Sequence, residues 1–413
     1  MQKLFSSQAL LWAGRGFWAV ADQALFAGTN FLVSILLARW LEPAAYGAFA
    51  TAYALFLLLG TLHTALWTEP MLVYGSGRFR EAFSAYQAVL IRYHWRFGLL
   101  VFIAFLLLGG LFWSLKGREL ALSFFGLSIA APAVLYLWLV RRGAYVYLNP
   151  RLAALGGGLY LFLYLALAGF LLRARLLNEV TAFLAMALGS ALAAEAIRWR
   201  LRGSAPTQVA PSEVWVLHWD YGRWALLAGA LSWVQGNLYF LVLSTFHDLE
   251  ATAAFRAINN LVMPIHHFNG ALGQLLLPGM VRARQAQKLE RFAWLGFILL
   301  LTFSLIYWIF LVLVANRLVE AIYLGKYAEY RYLIDLVGLI PVISAAIYVF
   351  SARLQALEKP RILAEVYGVS AAVATGLSLA LVIPFGVPGA VEANLVANTL
   401  TALFLAWICR RIC

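Results

Sequence analysis

Arg256 lies inside a long apolar stretch, and Asn260, Met263, His267 and Gln274 follow it at +4, +7, +11 and +18. At about 100° per residue these five side chains fall within roughly 40° of one helix face. The arginine sits about six residues in from the acidic link His247–Asp248–Leu249–Glu250, hence roughly 9 Å deep at 1.5 Å per residue. A charge at that depth is costly unless it meets water, another helix or an anion. No acid stands one turn away on the same helix, because Thr252 and Asn260 hold the −4 and +4 positions. Two uses remain open. One is a ligand or gate role, in which the planar guanidinium grips phosphate oxygens. The other is an ion pair with a neighbouring helix.

A second polar series runs along the first apolar stretch. Arg15, Asp22 and Thr29 recur every seven residues, with Asn30 beside the last. Seven residues fall only about 20° short of two full turns, so the three share a face. Such a stripe can lock one helix to its neighbours without touching a substrate, or it can line a cavity. His63, His266 and His267 offer no metal site, since adjacent histidines on a helix point about 100° apart. Asp335, Glu365 and Glu392 each fall near the start of an expected helix, where they complement its dipole better than they relay protons. Pro264 and Pro341 each free a backbone carbonyl and bend their helices. No metal or cofactor is expected.

Several enzymatic classes are excluded by what is missing. No P-loop, HExxH or GxSxG occurs, and the four aspartates (Asp22, Asp220, Asp248 and Asp335) never form a DxD pair. Every link is too short for a catalytic domain.

The elements that must position these side chains are membrane helices. Apolar residues make up 64% of the 413 and charged residues only 12%, which no water-facing surface tolerates. Twelve runs have the roughly 20 residues needed to cross a hydrocarbon core: 16–40, 43–67, 92–115, 119–140, 152–172, 178–199, 222–246, 250–280, 291–315, 331–353, 362–384 and 388–409. The first run is too long for a cleavable signal peptide and leads straight into a hairpin. An amphipathic helix on the inner membrane surface, leading into the third run, is expected over 77–95, and an outer-surface piece over 320–331.

The net charge of +13 is not a nucleic-acid footprint. With the amino terminus inside, 22 of the 31 basic residues fall on cytoplasmic segments and 8 outside, which places both termini in the cytoplasm. The chain also repeats itself. A helix, an acidic link, a second helix broken by proline and a basic loop recur after about 206 residues: Glu42 matches Asp248, Phe49 matches Phe255, and Pro70 matches Pro278. The expected organisation is a six-helix lobe over 1–200, a cytoplasmic linker over 201–221 and a second six-helix lobe over 222–413. Cys409 and Cys413 are the only cysteines and form no framework.

The segment Leu37–Ala38–Arg39–Trp40–Leu41–Glu42–Pro43–Ala44–Ala45–Tyr46–Gly47–Ala48–Phe49 resembles the polysaccharide-transporter branch of the MOP flippase superfamily, the Wzx-type flippases of lipid-linked oligosaccharides. Leu354 to Arg361 is similar to that family's link between its tenth and eleventh helices. Glu42 stands where the family pattern commonly has glycine. The resemblance implies an all-α polytopic fold of twelve transmembrane helices in two pseudo-symmetric lobes around a central cavity. It implies an undecaprenyl-diphosphate-linked glycan as cargo, polysaccharide-assembly proteins as partners, and a monomer in the bacterial inner membrane. It places Arg256 at a cationic cavity position, and likens Arg15 and Asp22 to a charged pair of the first helix.

The expected function is outward flipping of a lipid-diphosphate-linked oligosaccharide, such as an O-antigen repeat unit, by alternating access. Arg256, Asn260, His267, Gln274, Arg15, Asp22 and Asn30 would line the path. The first rival is a cation-coupled small-molecule antiporter, which wants acids facing the amino-terminal cavity. The second is a membrane glycan polymerase or ligase, which wants a longer outer loop.

Overall fold

The structure is a computed structural model. It describes the backbone of residues 2–115, 117–201, 209–285, 287–357 and 359–412. It describes the side chains within those ranges except at residues 2–16, 27, 224, 225, 228, 271, 273–275, 277, 278, 281, 282, 285, 360 and 412. The elements are helices: α1 (Gln2–Trp40), α2 (Pro43–His63), α3 (Glu69–Ser76), α4 (Phe83–Leu115), α5 (Arg118–Val146), α6 (Pro150–Arg173) and α7 (Glu179–Leu201). After these come α8 (Pro211–Phe246), α9 (Leu249–Gln285), α10 (Leu289–Tyr323), α11 (Ile334–Ala356), α12 (Pro360–Leu377) and α13 (Ile383–Ile412). Of the segment expected over 77–95, residues 77–82 form a turn and 83–95 are the first turns of α4, and the segment expected over 320–331 ends in a 3₁₀ turn at Ala328–Leu333.

Nine helical stretches among the described residues are long and apolar enough to cross a membrane. Twelve were expected. The nine omit α8 and α9 and take 361–411 as one stretch. α9 is 37 residues long, but it is diluted by Arg256, Asn259, Asn260, His266, His267 and Asn269.

Two bends follow directly from sequence. α2 continues into α3 through a π turn at Thr64–Thr68, just ahead of Pro70. Proline has no N–H to give to the Leu66 carbonyl. His218 Nδ1 lies 2.7 Å from that oxygen instead, and Tyr86 Oη is 2.5 Å from the other ring nitrogen. The second bend is at Gly386, whose φ of 61° and ψ of −130° favour glycine. His247 Nε2 sits 2.7 Å from the Val382 carbonyl and 3.1 Å from that of Ile383, which caps the groups freed at this bend.

The chain forms two compact units. Unit 1 comprises residues 1–30 and 55–229; unit 2 comprises 31–54 and 230–413. In unit 1, α5 is the central helix, packed on α4, α6 and α7 and 83% buried over its most apolar window. In unit 2, α11 holds the same place among α9, α10 and α13, while α10 is only 17% buried. These two helices are the fourth run of each repeat. Within unit 2, the segment Tyr46–Gly47 lies against the start of α9. A Cβ on Gly47 would stand 1.6 Å from the Leu249 carbonyl oxygen, so only glycine allows this approach. Lys326 Nζ donates to the carbonyls of Arg39 and Leu41 at 3.0 and 2.6 Å and so caps the end of α1.

Candidate functional site: two buried arginines and a polar cavity

In unit 1, Asp22 on α1 is 2% exposed and lies 3.5 Å from the Arg141 guanidinium on α5. Its other oxygen accepts from Tyr145 Oη at 2.6 Å. Arg141 is itself 5% exposed and stacks 4.0 Å over the Phe26 ring. Gly157 on α6 lies alongside, and a Cβ there would stand 3.8 Å from Asp22, an ordinary van der Waals contact. Asp22 therefore joins α1 to α5, and its charge is balanced. Arg141, one of the 22 basic residues that the charge count assigns to cytoplasmic segments, is buried within unit 1. Thr29, one turn series further on, turns its hydroxyl back to the Leu25 carbonyl of its own helix at 2.6 Å. Asn30 is the last residue of unit 1 and is half-buried. The Arg15 side chain falls outside the described residues.

In unit 2, Arg256 is 8% exposed and Asn260 wholly buried. Arg256 Nε donates to Ser34 Oγ at 3.3 Å, and Ser34 Oγ donates to Asn260 Oδ1 at 2.8 Å. Asn260 Nδ2 donates to Tyr46 Oη at 3.0 Å, which closes a ring of polar groups with Ser34. The guanidinium also lies 5.5 Å from the ring centroids of Tyr53 and Phe240, within cation–π range. Among the described residues no ion pair includes Arg256. Of the two uses the sequence left open, the ion pair is thus not the one seen. His267, on the same face, has a buried Nε2 without a hydrogen bond among the described residues. The Gln274 side chain falls outside them.

Unit 2 also holds a cavity of about 720 Å³ that the sequence reading missed. Ser232, Gln235 and Gly236 of α8 and His266 and Gly270 of α9 form one side. α11 supplies Ser344, Ile347, Tyr348, Ser351, Ala352 and Gln355, while Tyr367 and Asn398 come from α12 and α13. None of these side chains is a carboxylate, an ammonium or a guanidinium. His266 reaches this cavity, and His267, about 100° round the helix, does not line it. A signal was present in the sequence: Ser344, Tyr348, Ser351 and Gln355 stand at 0, +4, +7 and +11. That is the spacing of the Arg256 series, but without a charge to draw attention.

No family model and no curated protein sequence matches the chain. Solved structures do. An inward-facing multidrug resistance MATE family transporter of the MOP superfamily aligns at TM-score 0.80 and 15% identity, over 95% of this chain and 98% of that one. The chain has the MOP superfamily fold. The lipid II flippase MurJ in an inward closed conformation aligns at 0.75 and 12%, over 97% of this chain and 87% of its own. A MOP superfamily transporter from Pyrococcus furiosus, described as having a binding pocket of reversed polarity, aligns at 0.63 and 14%, over 97% and 93%. With this fold and nine described stretches long and apolar enough to cross a membrane, the chain is a multi-pass membrane protein.

Proposed function

We propose that this protein is a flippase that carries a lipid-diphosphate-linked oligosaccharide across the bacterial inner membrane by alternating access of its two six-helix lobes. The carrying observation is the distribution of buried charge. Among the described residues Asp22 and Glu179 are the buried acids. Asp22 is neutralised by Arg141, and Glu179 opens α7, where it complements the helix dipole. Among the described residues Arg256 has no such neutralising acid. A transporter of organic cations wants the opposite balance, a free acid and no free cation. The motif around Tyr46 and Gly47 and the likeness to a lipid II flippase fold support the same reading. The diphosphate would be drawn by Arg256, which Ser34 and the Asn260–Tyr46 ring orient, with His267 and Gln274 along the same helix face of unit 2.

The second reading, a cation-coupled small-molecule antiporter, is favoured by the fold likeness to MATE transporters and by the depth of Asp22. One experiment separates them. Purified protein in liposomes is supplied with a fluorescent undecaprenyl-diphosphate-linked oligosaccharide, or with an organic cation dye under a proton or sodium gradient. The flippase reading expects movement of the lipid, its loss in Arg256→Ala and partial recovery in Arg256→Lys. Gradient-driven dye movement with a stationary lipid overturns it.

A further inference from the structure

We infer that the cavity within unit 2 is a carbohydrate subsite that accepts uncharged sugars and rejects sugar acids. The inference rests on the flippase reading for its physiological cargo, and on the cavity wall for its chemistry. Nine of the thirteen lining residues carry a hydroxyl, amide or imidazole, and none carries a formal charge at neutral imidazole. A lipid tail there would leave His266, Tyr348 and Gln355 without partners. Among the described lining residues an anion would find no guanidinium or ammonium, and a cation no carboxylate. A polyol suits all of them, because each sugar hydroxyl both donates and accepts, as do serine, tyrosine, glutamine, asparagine and neutral histidine.

The wall is part fixed and part open. Gln235 Nε2 donates to Thr401 Oγ1 at 3.0 Å, and Ser351 Oγ lies 3.3 Å from Tyr367 Oη, so these side chains are already oriented. His266, Tyr348 and Gln355 line the same space and take no part in the hydrogen bonds among the described side chains. Two glycines keep the space empty. A Cβ at Gly236 would meet nothing within 4 Å, and one at Gly270 only Tyr348 Oη at 4.0 Å. The volume lies in the range of about 300–1,000 Å³ found for small-molecule sites. The α11 stripe runs down one helix face, so successive sugars can each meet the same element.

The two glycines provide a plug that removes no polar group. Gly236→Leu and Gly270→Leu project into the space, and both favour helix over glycine. The full-length protein in lipid nanodiscs is titrated calorimetrically with a neutral trisaccharide of hexose and N-acetylhexosamine. A matched trisaccharide with one uronic acid is titrated in parallel, and so is tetraphenylphosphonium. The neutral sugar is expected to bind, the acidic one at least about tenfold more weakly, and the cation not at all. Either glycine variant weakens the neutral sugar at least about tenfold with no fall in melting temperature, and Gln355→Arg improves the acidic sugar relative to the neutral one. Equal binding of both sugars, no neutral binding up to about 10 mM, preferred binding of the cation, or wild-type affinity in both plugged variants overturns the subsite. The lipid-flipping assay keeps the two conclusions apart. Sugar binding as expected with a stationary lipid leaves the subsite and removes the flippase reading. Wild-type flipping by both plugged variants removes the subsite and leaves the flippase reading.

Discussion

Arg141 and Arg256 are both almost wholly buried, yet the two units treat them differently. Unit 1 sets Arg141 against the Asp22 carboxylate and the Phe26 ring, so the charge is cancelled where it stands. Unit 2 surrounds Arg256 with Ser34, the polar ring through Asn260 and Tyr46, and two aromatic faces, which orient the guanidinium without cancelling it. Depth alone therefore does not decide what a charge does. Its partner does: a neutralised pair holds helices together, whereas a positioned but uncancelled cation keeps an attraction for anions. The cavity in the same unit supplies the complement, a wall that hydrogen-bonds without any charge.

The largest expected effect tests the first half of that contrast. Arg141→Met strands the Asp22 carboxylate in the interior, and the folded state should lose about 3–5 kcal/mol, read by denaturant or thermal unfolding in detergent. Adding Asp22→Asn should restore most of the loss. An unchanged melting temperature in the single variant would mean that Asp22 is not spent on holding α1 to α5, and would revive the antiporter reading.

Next comes the backbone contact that seats the Arg256 network. Gly47→Ala puts a methyl group into the Leu249 carbonyl, and a loss of about 1–3 kcal/mol or more is expected. Because Tyr46 adjoins it, lipid flipping should fall further than stability alone explains, as a flipping rate normalised to folded protein would show.

A comparable or smaller loss, about 1–3 kcal/mol, is expected for His218→Phe, which leaves the Leu66 carbonyl without the donor that replaces the one Pro70 lacks. This change lies in unit 1, so sugar binding in the unit 2 cavity should be unaltered by calorimetry.

The smallest stability effect sharpens the contrast most. Arg256→Met strands no carboxylate, so stability should change by about 1 kcal/mol or less, while flipping of the diphosphate lipid falls at least about tenfold. If Arg256→Met unfolds the protein as readily as Arg141→Met, the two arginines do the same job and the contrast is void.

Much of the scaffold was legible in the residues. The positions of most apolar runs and the bend near Pro70 follow from local chemistry, whereas the tight approach of Gly47 to the Leu249 carbonyl joins residues 202 positions apart and was not legible. The Arg256 series was legible too, because a charge in an apolar helix is conspicuous. The α11 stripe had the same spacing and was passed over, since serine, tyrosine and glutamine are tolerated in membrane helices for many reasons. The pairing of Arg141 was not legible, because its partner Asp22 lies on another helix far away in the chain.

The sequence by itself determined that this chain is a bundle of apolar helices and which faces of them are polar, because both properties depend on residues a few positions apart. Only the tertiary structure decided that Asp22 meets an arginine 119 positions away, that Arg256 meets none of the described acids, and that described residues of five helices line one cavity without a charged side chain. Those outcomes depend on which helices become neighbours, and that is set by packing over the whole of each unit.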